Sequence, residues 1–139
     1  MKSIICSVFG VVGSTVSYLL GGWDMAVVTL LIFMVIDYIT GIIVAGVFHK
    51  SKKTESGSLE SRVGWKGLVK KFVTLLFIII AVRLDMLIGN SYVRDAVCIA
   101  FITNETLSII ENAGLMGIPL PNVITKALEI LKSKEDTTE

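Results

Sequence analysis

Charge is scarce in this chain. Asp, Glu, Lys and Arg make up 18% of its 139 residues, where a soluble domain of this size carries about a quarter. The hydrophobic fraction is 53% and the mean hydropathy is +0.78. Those values exclude an ordinary water-soluble globule and point to an all-α integral membrane protein. Histidine is reduced to His49 and cysteine to Cys6 and Cys98. No metal-ligand spacing can be built from them, so neither a metal nor another cofactor is expected. Cys6 and Cys98 fall near opposite membrane faces in the topology below, too far apart for one disulfide, and read as reduced packing residues. There is no recognisable nucleophile–base set, and Asp37 lacks a second aspartate at catalytic spacing, which argues against an enzyme. The two prolines, Pro119 and Pro121, fall together, where they stop a helix.

What the chain does have is long apolar runs. The reading is one membrane domain over residues 1–139 with four transmembrane helices, at about 4–20, 25–48, 72–89 and 96–118. A short C-terminal amphipathic helix is expected at 122–132, with a charged tail at 133–139. The alternative is three spans, with the fourth segment amphipathic or re-entrant. Lys2 followed by an apolar stretch also suits a signal peptide, but a second run follows at once and no small-x-small cleavage site separates them. In the first run Ser7, Gly10, Gly13, Ser14, Ser17 and Gly21 form a small-residue face. Gly41 and Ala45 repeat that spacing in the second. Such faces let helix backbones approach closely, within one chain or between copies.

Residues 49–71 form the one long polar segment, with seven basic residues against Glu55 and Glu60. A basic segment can bind nucleic acid. Between two hydrophobic spans it reads as a topology signal and a contact for anionic lipid, and no nucleic-acid partner is expected. With that loop cytoplasmic, eleven Lys and Arg lie inside, and only Arg83 and Arg94 lie in or near the outer half. Four spans then place both termini in the cytoplasm.

The polar exceptions within the runs are the candidate functional residues. Asn104, Glu105, Ser108, Glu111 and Asn112 recur at helical spacing and form one stripe along the fourth segment. An ionised carboxylate at mid-depth costs roughly 2.5–3.5 kcal/mol on insertion scales, so this stripe requires a partner surface or water. Asp37 lies eleven residues from Phe48 and Arg83 eleven from Phe72, each about 16 Å from the loop side at helical rise. Their shared depth predicts an Asp37–Arg83 pair.

Three blocks carry a family likeness. They are Ile36-Asp37-Tyr38-Ile39-Thr40-Gly41, then Ser61-x-x-Gly64-x-x-Gly67-Leu68-x-Lys70-Lys71, and finally Asn104-Glu105-Thr106-Leu107-Ser108-Ile109-Ile110-Glu111-Asn112 running on through Gly117-Ile118-Pro119-Leu120-Pro121. In this order and spacing, from about Trp23 to Leu131, the chain resembles the toxin-secretion and phage-lysis holins. The resemblance implies a multi-pass protein of the bacterial cytoplasmic membrane that forms homo-oligomers and opens pores, releasing an endolysin or a large toxin. The stripe would line the opening. Without the resemblance the residues equally allow a small ion- or proton-coupled channel or transporter subunit, with Asp37, Arg83 and Glu105 as its relay. They also allow a non-conducting membrane scaffold.

Overall fold

The computed structural model describes residues 1–138. Those residues form five helices: α1 (Lys2–Leu20), α2 (Met25–Gly46), α3 (Ser61–Ile88), α4 (Tyr92–Leu115) and α5 (Asn122–Thr138). No strand occurs among the described residues.

Local chemistry sets each boundary. Gly21 ends α1 in the left-handed region at φ 78°, which glycine reaches without a Cβ penalty. The Gly21 and Gly22 amides then donate to the carbonyls of Tyr18 and Ser17. Asp24 caps α2 by accepting from the Val27 amide at 3.1 Å, the usual use of an aspartate at that position. Asp85 reaches forward to accept from the Val93 and Arg94 amides at 3.0 and 2.9 Å. It thus satisfies the exposed donors of α4 from a neighbouring helix and places a negative charge at the positive end of the α4 dipole. Gly117, at φ 74°, turns the chain out of α4 before the prolines.

Helix α4 lies at the centre and packs against α2, α3 and α5, most extensively against α2. The core combines Val27, Leu30 and Met34 of α2, Ile78 of α3, and Cys98 and Ile102 of α4. Helix α5 folds back along α4, burying Leu128 and setting Leu131 against the core. Helix α1 differs from the others. Leu20 is its one buried residue, and its remaining length stands open, including the groove around Gly10, Gly13 and Ser17.

Helices α1 and α2 are long and apolar enough to cross a membrane on composition alone. The expectation of four such spans is therefore met by two. Helix α3 holds Lys71, Arg83 and Asp85 among its apolar residues, and α4 holds Arg94, Asp95, Glu105 and Glu111. Their passage through lipid depends on how those charges are paired. The boundaries shift as well. Helix α2 stops at Gly46, α3 begins at Ser61, and the intervening loop is shorter than expected from the run of basic residues. Helix α5 continues through residues 133–138, which the charge pattern alone leaves as a tail; Glu139 lies outside the described residues.

Candidate functional site

Near the middle of α2 the three bundle helices each contribute a polar side chain to one buried cluster. Lys71 of α3 donates to Asp37 Oδ2 of α2 at 2.7 Å and to Glu105 Oε2 of α4 at 2.6 Å. Asn112 of α4 donates through Nδ2 to Asp37 Oδ1 at 3.2 Å, to the Asp37 carbonyl at 3.3 Å and to Thr40 Oγ1 at 2.9 Å. The Thr40 hydroxyl donates to the Asp37 carbonyl in turn. The Asp37 and Glu105 side chains are each 9% exposed and Lys71 is 16% exposed. Gly41 lies beside this cluster, where a Cβ would stand in ordinary contact, 3.9 Å from Asn112 Nδ2. Ala45, one turn on, is buried.

The expected Asp37–Arg83 pair does not form. Arg83 is exposed and its NH1 donates to Met86 Sδ at 3.6 Å, while Lys71 takes the place beside Asp37. The reason is register. Equal depth assumes a span that begins at Phe72, whereas α3 starts at Ser61 and Tyr38 of α2 lies level with Gly64 and Gly67. Arg83 is twelve residues past Lys71, about 18 Å farther along the helix. Lys71 was legible in principle. It shares the spacing of the buried α3 positions Ile78, Val82 and Asp85, at intervals of seven, four and three residues. Counting it with the basic loop hid that periodicity.

The α4 stripe divides. Glu105 and Asn112 are buried in the cluster and Ser108, half-buried, lies between them on the same face. Asn104 is exposed. Glu111 turns outward to an exposed pair with Lys52 of the α2–α3 loop at 3.2 Å. An exposed pair of this kind holds little energy.

A second buried group lies at the opposite end of the bundle. Arg94, 7% exposed, donates to the Leu20 and Gly22 carbonyls at 2.7 and 3.2 Å and forks onto both oxygens of Asp24 at 2.5 and 3.1 Å. It also reaches Asp95 at 3.2 Å. One guanidinium therefore ties the end of α1 and the cap of α2 to the start of α4. The hydrogen bonds from Arg94, reinforced by the Val27 amide and the Arg94 charge, hold the Asp24 carboxyl below its ordinary range against the effect of burial. Gly21 is required for this fit, since a Cβ would fall 2.9 Å from Arg94 Nε. The distribution of Lys and Arg assigns Arg94 to the outer half and carries no sign of this clamp. The nearest sequence signal was an Asp-capped α2 start beside an otherwise uncovered glycine turn.

The family model for bacteriophage holins matches residues 14–133. The chain belongs to the bacteriophage holin family. This holin is 35% identical over 108 residues to a probable holin of Bacillus phage phi105, covering 77% of this chain and 74% of the phage protein. It is 37% identical over 137 residues to an uncharacterized protein of Clostridium perfringens, covering 96% of each. With an uncharacterized protein of Listeria monocytogenes the identity is 34% over 134 residues, covering 94% of this chain and 90% of the relative. No solved structure matches. Family and apolar helices together place this holin at a membrane.

Proposed function

We propose that this holin accumulates in the bacterial cytoplasmic membrane, oligomerises and opens lesions through which an endolysin or a large toxin leaves the cytoplasm. The observation that carries this reading is the Asp37–Lys71–Glu105–Asn112 cluster. It is a polar seam closed on itself inside one protomer, and its side chains are of a kind that water can solvate. A single copy can hold such a seam in lipid because its charges face one another. When many copies collect, the same residues can face a shared aqueous opening, since non-helical or polar surface at membrane depth is tolerated where it lines water. Glu105, Ser108 and Asn112 would then line the opening, with the Glu111–Lys52 pair toward its cytoplasmic rim and Asn104 at the end of the stripe farther from the cytoplasm.

The open face of α1, with Gly10 exposed and Gly13 and Ser17 half-buried, supplies the contact between copies in this reading. In this reading both termini and the α2–α3 loop lie on the cytoplasmic side, which the distribution of Lys and Arg favours. Helix α3 spans about 42 Å at 1.5 Å per residue, longer than a hydrocarbon core of about 30 Å. Its first turns, with Arg62, Lys66 and Lys70 beside exposed Trp65 and Phe72, then lie among anionic headgroups.

The test is induced expression in a bacterial host with and without a cell-wall hydrolase that lacks its own export signal. The expected result is sudden loss of respiration in both strains, with lysis and release of cytoplasmic protein only where the hydrolase is present. Tight membranes despite full insertion would defeat the proposal. Leakage of small ions with no escape of protein would favour the channel reading in its place.

A further inference from the structure

The buried cluster has a charge imbalance. Two carboxylates, Asp37 and Glu105, converge on one ammonium, that of Lys71. Among the described residues Lys71 is the cation that pairs with these two carboxylates, and the α5 charges Lys126, Glu129, Lys132 and Lys134 lie at exposed positions. From α2 the other titratable neighbour is Tyr38, whose hydroxyl donates to the Gly64 carbonyl at 3.4 Å. From α3, Lys70 is exposed and Arg83 lies about 18 Å farther along the helix than Lys71. From α4, Glu111 points outward to Lys52. With every group ionised the cluster carries one net negative charge inside a packed bundle, where an uncompensated charge is neutralised instead of being tolerated.

Hydrogen bonding decides which carboxyl is neutralised. Both oxygens of Asp37 have donors, Oδ1 from Asn112 and Oδ2 from Lys71. An acceptor served on both sides stays ionised. Glu105 has Lys71 at Oε2, and its side chain is nine-tenths buried, yet Oε1 takes no hydrogen bond from any described residue. We propose that Glu105 holds a proton on Oε1 in the closed bundle, so that each closed copy is a proton-binding site.

This inference deepens the lesion reading and rests on it for its consequence, though not for its test. If opening brings Glu105 into water, the proton is released to water and the open copy carries one proton fewer. Raising the pH then favours opening and acid holds the bundle shut. The closed-to-open ratio changes by up to about tenfold per pH unit for each copy.

The test is infrared spectroscopy of the full-length protein in lipid bilayers at neutral pH. The expected result is a protonated-carboxyl C=O band that shifts when glutamate side chains carry a carbon isotope label and does not shift with labelled aspartate. Glu105→Gln removes it. Asp37→Asn removes it as well, because Lys71 and an ionised Glu105 then balance. Absence of the band from the wild-type protein, or its shift with labelled aspartate, would overturn the proposal. A variant that fails to fold is recognised by its amide bands, and the wild-type spectrum decides alone in that case. Release of a trapped dye from the same vesicles tests the consequence separately. A band without any release retains the proton site and removes the lesion reading.

Discussion

Lys71 is the residue on which three helices converge. It is one ammonium shared by Asp37 and Glu105, and its removal leaves carboxylates without a partner. Losing one member of a buried ionic group costs about 3–5 kcal/mol, so Lys71→Met should lower the thermal stability of the detergent-solubilised protein by that order. Arg83→Gln, at an exposed position, should stay within about 0.5 kcal/mol of wild type. The reverse ranking would show that Arg83 is the partner after all. Arg94 supports a second prediction, this time in pH. Its hydrogen bonds depress the Asp24 carboxyl, and a depressed folded value stabilises above the ordinary carboxylate pKa of about 3.9. That stabilisation is lost as the pH falls through the folded value. Acid should therefore loosen the α1–α2 turn, read as a change in Trp23 fluorescence in a Trp65→Phe background, and Asp24→Asn should abolish the transition. At this scale the polar exceptions Asp37, Glu105 and Asn112 were legible as residues in need of partners, because lipid penalises them, and they meet in one cluster. Their partner was not, because lysine at a span boundary reads equally well as a loop residue.

Among the elements, α2 was the most legible, since its apolar run begins where the helix begins and passes its C-terminal end by two residues. Helix α3 was the least. Its polar first turns, Ser61–Lys71, look like loop by composition and fold as helix because they continue the periodicity of the apolar segment behind them. Their basic face makes the third prediction. Replacing Arg62, Lys66 and Lys70 by Gln should weaken binding of the solubilised protein to anionic vesicles by about 1 kcal/mol per residue, and leave neutral vesicles unaffected. Equal loss on both vesicle types would assign those residues to folding instead. Helix α5 outruns its sequence expectation for a related reason. Its amphipathic stripe reaches Leu131, which packs on the core, and the helix carries the charged residues beyond it. Leu128→Ala should cost about 2–5 kcal/mol and should speed amide exchange along α5 before the rest of the bundle.

As a whole, the molecule is a bundle closed on its polar seam, with one helix, α1, left almost entirely uncovered. That combination could not be read from the chain, because composition shows that α1 is apolar but not that the bundle closes without it. Cys6 stands exposed on α1 while Cys98 is buried, so contact between copies through α1 should yield oxidative dimers in membranes that Cys6→Ser abolishes. The most direct measurement concerns the seam itself. A Ser108→Cys variant in a Cys6→Ser background places a thiol beside Glu105 and Asn112, with Cys98 still buried. Labelling with a membrane-impermeant maleimide is followed in cells before and after the membrane loses its energy. The account predicts no reaction while the bundle is closed and rapid reaction once lesions open. A thiol that stays unreactive while protein is escaping, or one that reacts throughout accumulation, would contradict it.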